Sequence, residues 1–195
     1  MSKDPNFIDD LLEGVKSNQI SIDEAKAQLS HYDELGFAKI DLHRAKRQGF
    51  PEVIFGEGKT KEQINQIIES LTQHDNVILV TRIDETKAKF VLEHHPYLQY
   101  HSVANIVSTP IEKIKKSQNY ISILCAGTSD LAVAEEAALT AEVMGIQVKR
   151  FYDVGVSGIH RLFNHIHEIR QGKVSVVIAG MEAVSYTHLR AHETK

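Results

Sequence analysis

Tryptophan is absent from the 195 residues, cysteine occurs once and proline four times. A single cysteine excludes any disulfide within the chain, which fits a reducing compartment. No apolar run approaches the length of a membrane span. The opening Met-Ser-Lys-Asp-Pro lacks the apolar core of a secretory signal. Charge of neither sign dominates: the formal net charge is −4, far from the basic excess of a general nucleic-acid binder. A soluble, cytoplasmic protein with no nucleic-acid and no membrane partner is the expectation. What remains is ordinary for a globular chain, 42% apolar and 25% charged, with one substantial core or two small ones. Neither an internal repeat nor a low-complexity segment is present.

Apolar periodicity divides the chain. Phe7, Ile8, Leu11, Leu12 and Val15 recur at helical spacing, and Ser21 to Glu24 is a capping box before a helix over 23–29. Residues 1–34 therefore read as N-terminal helices. From 35 to 116 strands and helices alternate: strands over 37–42, 52–55, 77–81 and 102–107, helices over 61–73 and 85–93. Such alternation implies βαβ packing in a small α/β domain. Thr60 and Gln63 repeat the capping-box spacing. Pro110 and the polar run 113–119 interrupt the pattern, so a second α/β domain is expected over 117–183.

Chemistry concentrates at three strand ends of that second domain. Tyr120 to Ala126 is an apolar strand ending in Gly127-Thr128-Ser129-Asp130, ahead of an alanine-rich helix over 131–144. A strand over 147–152 leads to Asp153-Val-Gly155-Val-Ser157-Gly158-Ile-His160-Arg161 and a helix over 159–170. A third strand, 174–179, ends in Gly180-Met181-Glu182. An open α/β sheet binds its ligand at such ends, where helix N-termini favour anions.

Three stretches, Cys-Ala-Gly-Thr-Ser-Asp-Leu-Ala-Val-Ala-Glu-Glu-Ala over 125–137, Tyr-Asp-Val-Gly-Val-Ser-Gly-Ile-His-Arg-Leu over 152–162 and Val-Ile-Ala-Gly-Met-Glu over 177–182, resemble the LarB family. Phe-Gly-Glu-Gly-Lys-Thr over 55–60 and the leading helices extend the resemblance to residues 1–183. It implies a PurE-like, flavodoxin-like parallel sheet for the second domain, incomplete here. It also implies the activity of a pyridinium-3,5-biscarboxylic acid mononucleotide synthase of nickel-pincer cofactor biosynthesis. Such an enzyme carboxylates the pyridinium ring of nicotinic acid adenine dinucleotide with carbon dioxide or bicarbonate. It also hydrolyses the phosphoanhydride, releasing AMP. Magnesium is implied as cofactor with ligands unidentified, and self-association into a homo-oligomer is implied as well.

The resemblance assigns roles. Gly127, Thr128, Ser129 and Asp130 match a loop that contacts phosphate or ribose; Ser129 and Asp130 also suit a helix N-cap. Asp153, Gly155 and Ser157 shape the second loop. Arg161 matches a position that clamps carboxylate or phosphate, and His160 one that contacts nucleotide or relays a proton. Gly180 and Met181 complete the substrate-binding set, and Glu182 is the candidate base that removes the ring proton after carboxylation. The covalent route needs a thiolate to add to the electron-poor ring. The resemblance places that cysteine after the Gly-Met-Glu motif, so Cys125 reads as a buried strand residue.

Other residues stay open. His43, Arg44 and Arg47 serve either the adenylate half of the substrate or a solvated basic face. Lys59 lacks the spacing of a phosphate-binding P-loop. Residues 184–195 resemble a non-native tail, which implies a truncated protein. His188 and His192, four apart, are at best half of a zinc site. The competing functions are an aminoimidazole ribonucleotide carboxylase of purine biosynthesis, and an inactive fragment that at most binds nucleotide.

Overall fold

The computed structural model describes residues 7–22, 24–25, 32–41, 44, 49–73 and 77–180. Met181, Glu182, His43, Arg47 and the segment 184–195 lie outside them. The protein is mixed α/β; the described residues form three sheets, with parallel strands in two of them.

Helix α1, Phe7–Lys16, buries Leu11. The Ser21–Glu24 capping box forms as the spacing predicts: Ser21 N–H donates to Glu24 at 2.8 Å, and Glu24 N–H donates to Ser21 Oγ at 3.1 Å. Tyr32–Glu34, read as the end of a helical region, is strand β1. It pairs antiparallel with β2, Lys39–Asp41, around a turn in which Gly36 takes φ +80°. Glycine supplies that left-handed backbone without strain.

The next sheet is built from β3 (Ile54–Phe55), β4 (Leu79–Thr81), β5 (Gln99–His101) and β6 (Ile106–Ser108), in the order β3-β4-β6-β5. Helix α2, Lys61–Thr72, connects β3 to its parallel neighbour β4, completing the expected βαβ unit. Its start is held by the Thr60–Gln63 capping box. Ile64, Ile67, Ile68 and Leu71 recur at helical spacing and bury one face against Ile54, Val80 and Val107. Helix α3, Glu85–His94, begins at Asp84, whose side chain accepts from Lys87 N–H. Where the sequence suggests one strand over 102–107, a hairpin stands instead. β5 and β6 pair antiparallel about a turn in which Asn105 takes φ +52°, a conformation asparagine tolerates.

The third sheet has β7 (Tyr120–Cys125) at its centre, flanked by β8 (Gln147–Phe151) and β9 (Ser175–Ile178), all parallel. Helix α4, Leu131–Val143, links β7 to β8. The connection from β8 to β9 holds two short helices, α5 (Ile159–Asn164) and α6 (Ile166–Gln171), not the single helix that periodicity suggests. The break falls at His165, whose backbone leaves the helical region (φ −108°, ψ 2°) and whose ring packs on Phe151. Right-handed crossovers in the order β8-β7-β9 put α4 and the α5–α6 pair on opposite faces. Alternation along β7 follows: Ile123 and Cys125 pack with Ala134 and Ala138 of α4, while Leu124 packs with Leu162 and Ile169.

Among the described residues, no helix is long and apolar enough to cross a membrane.

Candidate functional site

Chain order takes β7 outward to β8 and then back across to β9, so the topology reverses between β7 and β9. The gap beyond the carboxyl ends of those two strands is where an open α/β sheet receives ligand. Two of the three loops singled out from sequence meet there, and the third leans on them.

Asp130 is the bridge. Its Oδ1 accepts from the N–H of Gly180 at 3.0 Å, tying the loop after β7 to the end of β9. As an alternative, an N-cap role was open for this residue, yet Asp130 makes no side-chain cap and its own backbone is already helical (φ −93°, ψ −5°). Thr128–Asp130 is instead a 3-10 turn leading into α4. The aspartate side chain thus caps none of the helix N–H groups; the turn itself takes Asp130 N–H onto Gly127 O and Leu131 N–H onto Thr128 O.

The second loop lies close against the first strand. Val154 N–H donates to Cys125 O at 3.1 Å, and a Cβ on Gly155 would stand 2.7 Å from Ala126 O. Only glycine allows that approach. Asp153 takes φ +56°, a left-handed backbone rare for a non-glycine residue and a form of strain concentrated at functional sites. Its carboxylate pairs with the Arg161 guanidinium, while Arg161 Nε is buried without a hydrogen-bond partner among the described residues. Ser129, Ser157 and His160 are exposed, and their side chains make no hydrogen bond among the described residues. The structure therefore ties Gly127 and Gly180 to Asp130, pairs Asp153 with Arg161 and seats Gly155 on Ala126, while Thr128, Ser129, Ser157 and His160 are exposed.

Cys125 is fully buried and its thiol donates to Gly127 O at 3.1 Å. Burial pushes its pKa up, and the Asp130 carboxylate adds to the effect. Such a thiol is inert as a nucleophile near neutral pH. No group of three His, Cys, Asp or Glu side chains fit to hold a metal ion exists among the described residues. Magnesium finds no ready-made protein cage there, and no chemical step is assigned to it.

Behind the site a polar network stiffens α4 against β8, and the sequence reading missed it. Arg150 donates to both Glu142 oxygens (2.9 and 2.7 Å) and lies 3.3 Å from Glu135, while Tyr152 OH donates to Glu135 at 2.6 Å. The Glu142 hydrogen bonds raise the Arg150 pKa, and burial raises that of Tyr152. The available signal was Glu135 and Glu142, seven apart on one helix face, opposite Arg150 and Tyr152, two apart on one strand face.

Residues 32–112 match the family model described as the LarB/PurE-like N-terminal domain. An uncharacterized protein of Methanocaldococcus jannaschii is 36% identical over 185 aligned positions, spanning 89% of this chain and 72% of that protein. The chain belongs to the LarB family. The matched span ends before β7, so the parallel β8-β7-β9 sheet follows it, and family membership supports a carboxylase-like function. Glu182 and Met181, assigned from sequence as base and binding residue, lie outside the described residues. Of the basic trio His43, Arg44 and Arg47, only Arg44 is described. It pairs with Glu52 at 3.3 Å, beside the Phe50 ring.

Proposed function

We propose that this LarB-family protein acts on nicotinic acid adenine dinucleotide. The reaction adds a carboxyl group from carbon dioxide or bicarbonate to the pyridinium ring and cleaves the phosphoanhydride with water. Its products are pyridinium-3,5-biscarboxylic acid mononucleotide and AMP. The observation that carries the reading is the Asp130–Gly180 bridge at the topological switch between β7 and β9. It frames a gap bordered by the start of α4, the strained Asp153 loop and Arg161.

In this reading the mononucleotide half enters the gap. Arg161 holds a carboxylate or phosphate through a planar fork of donors, once Asp153 shares it. Asp130 orients ribose hydroxyls, for which an ionised carboxylate is acceptor only. Glu182, two residues past the bridged Gly180, is the proposed base for the ring proton. The covalent step needs a thiolate, and the buried Cys125 is unfit to supply it. Magnesium and a homo-oligomeric assembly belong to the proposal through the family alone.

The test is to supply the dinucleotide with magnesium and radiolabelled bicarbonate. The expected result is AMP, together with acid-stable label in the mononucleotide once a small thiol stands in for the nucleophile that Cys125 cannot supply. Carboxylation of aminoimidazole ribonucleotide without AMP release would replace this reading with the purine-pathway one, and binding without turnover would mark an inactive nucleotide binder.

A further inference from the structure

A second pair of parallel strand ends lies at the other side of α4. The carboxyl ends of β3 and β4 carry Phe55, Gly56 to Thr60, and Arg82. Their backbones are pressed together: Gly56 N–H donates to Thr81 O at 2.7 Å, and a Cβ on Gly56 would meet Thr81 O at 2.9 Å and Arg82 O at 3.3 Å. Arg82 sits in the left-handed region, φ +53°, where a long side chain has no intrinsic reason to be. Strain of this kind persists where surrounding structure enforces it, and it clusters at ligand sites.

The side chain is aimed as well as strained. Arg82 Nε donates to both carboxylate oxygens of Glu136 in α4, at 2.8 and 2.9 Å. The two terminal nitrogens make no hydrogen bond among the described residues, and the side chain is half exposed. Two more cations surround the same turn. Lys59 Nζ donates to Phe55 O at 2.9 Å, and Lys87 Nζ reaches Gly56 O at 3.4 Å. Each ammonium has three donors, so each retains capacity for a ligand. Glu57, Asp84 and Glu136 offset part of this charge. Phe55, paired across the sheet with Thr81, leaves half of its surface exposed.

Distance connects this rim to the gap already described. Glu136 is six residues along α4 from Asp130, about 9 Å at the helical rise. We propose that Arg82, with Lys59 and Lys87, binds the phosphoanhydride of a dinucleotide whose mononucleotide half occupies the β7–β9 gap, with Phe55 offering its exposed face to the distal base. The inference rests on the dinucleotide reading above. It assigns α4 a double role, its N-terminal end at one half of the substrate and Glu136 holding the arginine for the other.

Isothermal titration of the full chain with nicotinic acid adenine dinucleotide, nicotinic acid mononucleotide and ADP tests it. R82G removes the guanidinium and relieves the backbone strain, so folding is preserved; R82K keeps the charge without the fork. R82G is expected to weaken the dinucleotide and ADP about tenfold, the scale of a charge-assisted hydrogen bond, and the mononucleotide less than about twofold. R82K should fall between, and F55A should weaken the same two ligands. Equal loss for all three ligands, or no loss, overturns the assignment. Wild-type binding of the mononucleotide but not ADP, with no gain for the dinucleotide, also overturns it while sparing the nicotinate reading. ADP binding that depends on Arg82, with neither nicotinate nucleotide bound, sinks the nicotinate reading and leaves the phosphate site standing. A protein that binds none of the three loses both.

Discussion

Asp130, Gly155 and Cys125 lie around the carboxyl end of β7 and answer to different physics. Gly155 is a steric requirement: its added Cβ would meet a carbonyl oxygen, not a pliable side chain, at 2.7 Å. G155A must displace the second loop from the end of β7. The expected cost is about 1–3 kcal/mol, the usual range for overpacking a filled site, with substrate affinity lost alongside. Chemical denaturation paired with titration of the mononucleotide reads both, and an unchanged midpoint would show that the loop shifts freely. Cys125 makes the opposite prediction, of inertness. Burial raises the thiol pKa, so alkylation by iodoacetamide at neutral pH should be slow in the folded protein and fast in denaturant. C125A should leave affinity for the mononucleotide unchanged. Rapid labelling of the native protein would restore this cysteine as a nucleophile.

At the scale of elements, the sequence was most readable where a local rule suffices. The Thr60–Gln63 box opens α2, and the isoleucine and leucine spacing over 64–71 names its buried face. The apolar run 120–125 is the buried central strand. The elements misread depend on partners far along the chain. β5 separates from β6 because Asn105 accepts a left-handed turn, and α5 separates from α6 because the His165 ring packs on Phe151, fourteen residues earlier. Likewise the site glycines and acids were visible as a pattern, but the Asp130–Gly180 bridge spans fifty residues and no periodicity announces it. Another long-range contact gives α2 and α3 a pH dependence. His95 is buried between them, with its Nε2–H donating to Asn65 at 2.9 Å, and Asn65 in turn donating to Glu69. Desolvation lowers the His95 pKa, and burial does the same to His101 despite Glu112, Glu135 and Glu142 nearby. The unfolded chain takes up these protons near the ordinary value of 6.5, before the folded one does. Stability is then complete above about pH 7, falls as pH drops through that ordinary value, and levels off below the depressed folded values. Guanidinium melts between pH 7.5 and 5 should show this decline, and H95Q and H101Q should each flatten it. An unaltered slope in both variants would mean that burial imposes no protonation cost.

Across the whole molecule, α4 belongs to two cores at once. Ala134 and Ala138 face the parallel sheet, whereas Leu139 and Val143 join Leu79, Ala104 and Ile106 of the β3-β4-β6-β5 sheet in a separate apolar cluster. Arg82 adds an ion pair to the same helix from that sheet. An element packed on both sides couples them, because neither sheet can release it without exposing the apolar surface of the other. The consequence is measurable with L139A. Removing this buried side chain should cost about 2–4 kcal/mol, the range for leucine truncation in a core. The loss should appear in both sheets: native-state hydrogen exchange should quicken together at β4 amides and at β7 amides. If only the β4 amides respond, the two sheets unfold independently and α4 is an adornment of one of them. A substrate that spans both strand-end rims would then have to bring together halves that the protein does not itself hold in register.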